Sequence, residues 1–137
     1  MGAGTSREEV RVLKGLLAGG ITLGIAAVFP EPLVFTFLAI VLGLILGVYP
    51  GMAMASPGEG RPALQWGFAL LVAAAALAGL WASPVFLMGA FLLHFAWSFL
   101  HKFTALGDGV PEGFPAFCVT FDLVLAGFSM FLWGTAA

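Results

Sequence analysis

The sequence predicts an all-α, polytopic membrane protein with five transmembrane helices, its N-terminus in the cytoplasm and its C-terminus outside. Three observations lead there. Of 137 residues, 61% are hydrophobic and only 9% are charged, against about 25% charged in a soluble domain. The apolar residues form five stretches of roughly the 17–25 residues that cross hydrocarbon as a helix. Every lysine and arginine falls on one side of the resulting arrangement. A water-soluble fold this small could not bury so much apolar side chain, because its surface is too large for its volume. In lipid the same side chains face outward.

The spans are expected at about 12–29, 32–49, 63–82, 84–106 and 115–134, as a single transmembrane domain. Helices are required because backbone exposed to lipid must satisfy its own hydrogen bonds. Proline marks four starts, at Pro32, Pro62, Pro84 and Pro115. In the first helical turn it sacrifices no hydrogen bond and its φ is already helical. The links at 29–32 and 82–84 are short enough to force antiparallel hairpins. The link from Tyr49 to Arg61 is longer, rich in Gly, Pro and Met, and is expected to be mobile. The link from Gly107 to Phe114 carries Asp108 and Glu112.

Arg7, Arg11 and Lys14 precede the first span, Arg61 lies in the second link, and Lys102 ends the fourth span. Lys and Arg accumulate on the cytoplasmic side, which gives the orientation in the cell membrane. Tyr49, Trp66, Trp81 and Trp133 sit near span ends, as interfacial aromatics do. The first stretch also has the outline of a cleaved signal peptide, with small residues Ala26 and Ala27 near its end. It is long for that purpose and runs directly into another span, so a retained helix is expected. Gly60-Arg-Pro62-Ala63 and Gly113-Phe-Pro115-Ala116 open the third and fifth spans alike, but any two apolar hairpins share that much. The formal net charge of −2 points to no nucleic-acid partner. A single cysteine, Cys118, excludes an intramolecular disulfide.

Ionisable groups inside a span are costly, about 2.5–3.5 kcal/mol for a central Asp, Lys or Arg on insertion scales. His94, His101 and Asp122 therefore need an account. The fourth helix descends to Lys102, so His101 is expected near the surface, with His94 about 10 Å deeper at 1.5 Å per residue. The fifth rises from Pro115, which puts Asp122 at about the same depth. Residues three and four apart share a helix face. His94, Trp97, Ser98 and His101 thus form one stripe, and Cys118 and Asp122 form another on the next helix. Together they make a cytoplasm-facing polar cluster. The first three spans offer Thr22 and Thr36 as internal polar groups, which suggests a scaffold.

Two readings of the cluster stand side by side. The His94–Asp122 pair could merely join two helices, a modest contribution in membranes. It could instead be a relay or ligand site, the usual meaning of such groups. His94, His101, Cys118 and Asp122 are competent metal-ligand types. However, the two histidines lie about two turns apart, too far for one ion, and no metal is assigned. One axial histidine among Phe91, Phe95 and Trp97 would suit a haem or chlorin, but no cofactor is assigned. Cys118 with His101 and Asp122 would suit nucleophilic catalysis, yet no family-specific signature surrounds the cysteine. Gly15-x3-Gly19, Gly20-x3-Gly24 and Gly43-x3-Gly47 have the spacing that lets helices approach closely. They serve either packing of the first two spans or a homodimer.

The run His94-x2-Trp97-x3-His101, followed by Pro115-x2-Cys118-x3-Asp122, resembles that of a group of small uncharacterised bacterial multi-pass membrane proteins. There the pattern reads His-x-x-Trp-Asp-x-x-His and then Pro-x-x-Cys-x-x-x-Asp; here Ser98 stands in place of the first aspartate. The resemblance covers roughly the last third of the chain. It implies no activity, only that these positions form the site. The expected function is that of a ligand-binding or accessory subunit of a membrane complex, partnered by the bilayer and by a homodimer or larger assembly. The alternatives are an enzyme on a lipid or quinone head group, with His94 or His101 as base and Asp122 orienting it, and a dimeric proton-coupled carrier.

Overall fold

A computed structural model describes residues 2–31, 33–56, 58, 60–104, 106 and 109–136, with backbone alone for 2–6 and 136. Pro32, Gly107 and Asp108, used above to place a span start and a link, lie outside the described residues. Among the described residues the chain is helical, without strands. Its elements are α1 (Gly2–Ala26), α2 (Leu33–Leu46), α3 (Val48–Ala55), α4 (Pro62–Trp81), α5 (Pro84–Phe103) and α6 (Phe114–Ala136).

Four segments are long and apolar enough to cross a membrane: Leu33–Ala55, Pro62–Trp81, Pro84–Phe103 and Phe114–Thr135. The helix α1 has the length but carries Arg7, Glu8, Glu9, Arg11 and Lys14 in its first half. Pro62 and Pro84 stand in the first turns of α4 and α5, where a missing N–H costs nothing.

The link expected from Tyr49 onward is instead helical to Ala55. Pro50 explains the form this takes. It has no N–H to offer the Leu46 carbonyl, and its ring crowds that group. The helix therefore breaks at Gly47 and restarts, with Gly51 N–H donating to the Gly47 carbonyl at 3.0 Å. Tyr49, Pro50 and Ala53 face inward from the restarted turn.

Leu38, Leu42, Val72, Leu87, Phe91 and Leu125 form the fully buried apolar core. Leu17, Ile21, Leu44, Leu70 and Phe131 point outward, an apolar exterior suited to lipid. Trp66, Trp81 and Trp133 are exposed, whereas Tyr49 is only 2% exposed; its expected place at the interface is corrected to the interior.

The glycine spacing also acts differently from expectation. A Cβ on Gly15 would fall 2.7 Å from the Phe117 carbonyl, and one on Gly19 would fall 2.9 Å from Val124 Cγ1. These glycines seat α1 against α6, not against the second span. Arg11 meets Gly113, Gly15 meets Phe117 and Thr120, and Gly19 meets Val124. Both numbers rise together, so α1 and α6 run parallel. Gly20, Gly24 and Gly43 have nothing within 4 Å, and Gly47 has only the Leu44 carbonyl at 3.7 Å.

Candidate functional site

One face of α5 carries His94, Trp97, Ser98 and His101, all buried. Their spacing puts them on a single stripe, and α3, α4 and α6 close around it. Asp122 and Cys118 approach from α6, both buried.

His94 Nδ1 and Asp122 Oδ2 are 2.7 Å apart, with side chains 1% and 0% exposed. With Asp122 as the carboxylate, which only accepts, Nδ1 carries the proton and Nε2 is the open nitrogen of the ring. This is the orientation in which a carboxylate fixes the tautomer of a base or a ligand.

His101 belongs to a separate network. It lies near the end of α5, as expected, but its side chain is only 3% exposed. Its Nδ1 lies 2.8 Å from the Trp97 carbonyl, which can only accept. Its Nε2 lies 2.8 Å from Gln65 Nε2. The Trp97 indole N–H donates to Gln65 Oε1 at 3.0 Å, and indole cannot accept. The amide must therefore turn its oxygen to Trp97 and its nitrogen to His101, whose Nε2 accepts. Phe68 stacks on Trp97 at 4.1 Å and 9°, which holds the indole in plane. This network contradicts the expectation that the first three spans contribute only Thr22 and Thr36. Gln65, in the first turn of α4, is a central member.

Tyr49 of α3 touches both imidazoles, with ring centroids 4.2 Å from His101 and 5.8 Å from His94. Its hydroxyl neighbours Ser98 and Cys118 without hydrogen-bond geometry. Four buried side-chain atoms have no hydrogen-bond partner among the described residues: Tyr49 Oη, His94 Nε2, Ser98 Oγ and Asp122 Oδ1. Each can accept, and the two hydroxyls can also donate. Among the described residues no three His, Cys, Asp or Glu side chains converge on a common point in the manner of a metal site.

A cavity of about 780 Å³ opens at the end of the bundle beside this cluster. His101 forms part of its wall, with α1 and the first turn of α6 opposite.

Sequence reasoning missed Gln65 and Tyr49. Gln65 is the chain's only carboxamide and Tyr49 its only tyrosine. A lone amide within an apolar helix was a usable signal; the inward turn of Tyr49 depends on the break at Pro50.

A family of unknown function, DUF6010, matches residues 10–136, a stretch that reaches every helix. Nothing among the curated proteins or the solved structures matches the chain.

Proposed function

Because the chain belongs to this DUF6010 family, whose function is unknown, we propose a function from its geometry. It is a five-span protein of the cell membrane, N-terminus inside and C-terminus outside. It binds a small polar ligand in a cytoplasm-facing site between α5 and α6, alone or as a subunit of a larger membrane complex. The observation that carries this is the set of four unpartnered atoms around the His94–Asp122 pair. A buried polar group left unpaired costs about 1–3 kcal/mol. A hydrogen bond between membrane helices returns about 0.6 kcal/mol on average. Packing alone would not retain a buried imidazole and carboxylate, each with an unpaired atom, for one bond. A ligand with hydroxyl or carbonyl groups would pair them.

The topology draws support from the parallel register of α1 and α6. Strict alternation of direction through five spans requires those two to be parallel. Arg7, Arg11, Lys14 and Lys102 also line one end of the bundle, where the bias of basic residues puts the cytoplasm.

A second reading, an enzyme acting on a lipid or quinone head group, is favoured by the ring orientation of His94. With Asp122 on Nδ1, Nε2 is placed to take a proton from a ligand hydroxyl, and the carboxylate stabilises the imidazolium that forms. A proton-coupled carrier has less support, because the apolar core of Leu38, Leu42, Val72, Leu87, Phe91 and Leu125 offers no polar route to the other face.

The test is to purify the chain in mild detergent and identify co-purifying small molecules by native mass spectrometry. The double variant Tyr49→Phe, Ser98→Ala should stay folded and lose the bound species. If both forms carry the same molecules in the same amounts, the binding reading fails.

A further inference from the structure

We propose that the cavity between α1, α5 and the start of α6 is a binding site for a phosphate group, held by Arg7, Arg11, Lys14 and Lys102. This site adjoins the His94 cluster, with His101 in its wall, but does not depend on the function proposed for that cluster.

The geometry begins on α1. Arg7, Arg11 and Lys14 are spaced four and three apart, so they share one face of the helix. That face continues to Gly15 and Gly19, where it presses on α6. The helix α6 begins at Phe114, so α1 overhangs its end. Along the overhang the contact residues change from glycine to arginine. Arg7, Arg11 and Lys14 then line the cavity with Lys102 from α5 and with Pro115 and Ala116 from the first turn of α6. The N-terminal end of a helix carries a partial positive charge, which adds to the cations here.

Arg11 is seated rather than free. Its stem passes over Gly113, where a Cβ would lie 2.8 Å from Arg11 Cγ. Gly113 has φ +79°, a conformation that other residues rarely adopt. The turn before α6 is thus shaped to let the stem of the arginine cross it, and Arg11 lines the cavity.

The charges are out of balance. Among the described residues the lining holds two carboxylates, Glu8 and Glu112, against four cations. Lys102 pairs with Glu8. Among the described residues Arg7, Arg11 and Lys14 make no ion pair. Cations held together unpaired repel one another, and an anion removes the repulsion. Phosphate suits the set best, because guanidinium binds it through paired N–H donors and lysine adds a point charge. The volume of about 780 Å³ falls in the range of small-molecule sites, about 300–1,000 Å³, so it admits a phosphate with a substituent attached. The cavity lies at the ends of α5 and α6, which the proposed topology puts at the level where head groups meet the hydrocarbon. A phospholipid head group and a free phosphate share the recognised chemistry.

Calorimetric titration of the full chain in uncharged detergent tests this, with inorganic phosphate and with short-chain phosphatidic acid below its micelle concentration. Saturable binding of one molecule per chain is expected. Arg11→Gln and Lys14→Gln should each weaken it about tenfold, the loss of one charge-assisted contact. Arg61→Gln, a cation outside the cavity, should change it by less than about twofold. Elution as a single species confirms that each variant is folded; if Arg11→Gln fails there, Lys14→Gln carries the comparison. Binding of phosphate identifies a free anion as a ligand, and binding of phosphatidic acid alone identifies a head group; both support the site. No saturable binding of either probe overturns it. So does an equal loss in Arg61→Gln, which would mean diffuse charge attraction.

Discussion

Gln65 stands with its amide nitrogen 2.8 Å from Nε2 of His101, and the bond fixes which nitrogen of that ring carries the proton. Donor-only Trp97 orients the amide, the amide donates to Nε2, and Nδ1–H donates to the Trp97 carbonyl. Three side chains from two helices thus leave His101 with one tautomer. The nitrogen-15 spectrum of ring-labelled protein at neutral pH should show His101 as the Nδ1–H form. Gln65→Leu would leave the indole N–H and Nε2 unpaired. We expect a stability loss of about 2 kcal/mol, from the cost of buried unpaired groups, measured by thermal unfolding in detergent. A loss within error would mean that the network contributes nothing net.

Asp122→Asn keeps the size of the side chain and removes its charge. The protein should insert and fold with a loss below about 1.7 kcal/mol, the upper range for hydrogen bonds between membrane helices. Any turnover that uses His94 as a base should fall at least about tenfold, because the ring loses the carboxylate that orients it. Unchanged turnover would remove Asp122 from the chemistry.

Glycine substitutions separate the two roles of small residues. Gly15→Ala should destabilise the fold, since its Cβ meets the Phe117 backbone, which cannot swing aside. Gly19→Ala meets Val124, so Val124→Ala should relieve part of its cost. Gly20→Ala and Gly24→Ala add a methyl group in open space and should stabilise the helix by about 0.5–1 kcal/mol. If they weaken a detergent-resistant dimer instead, that face of α1 is where two copies meet. Denaturation curves and cross-linking of the four variants distinguish these outcomes.

Cys118 is 4% exposed and packs with Tyr49 and Trp97. Tyr49→Ala removes its cover from α3. The rate of maleimide labelling of the thiol should rise about tenfold, the change for about 1.4 kcal/mol less protection. An unchanged rate would show that α6 alone shields it.

The helices were legible because hydropathy and proline positions report directly on spans. Equal depth for His94 and Asp122 followed from counting residues back from Lys102 and forward from Pro115. What counting could not supply was lateral position. The partnership of α1 with α6 joins the two ends of the chain, and no local pattern around Gly15 names Phe117 as its neighbour. Gln65 lies in the first turn of a span, where a polar residue ordinarily meets water, so its position does not mark it. Tyr49 at a span end reads as interfacial for the same reason, and it turns inward at the break before Pro50. His94 and His101, alike in sequence, separated because one faces a carboxylate on α6 and the other an amide on α4.

The break at Gly47 sets a length. The unbroken α2 has 14 residues, about 21 Å of rise at 1.5 Å each, while the hydrocarbon is about 30 Å thick. The second segment therefore falls short unless α3 continues within the slab. On the proposed topology Pro50 and the ring of Tyr49 then lie below the reach of bulk water. A mismatch with the bilayer, commonly taken up by tilting a whole helix, would here bear on the joint beside the residue that roofs the two imidazoles.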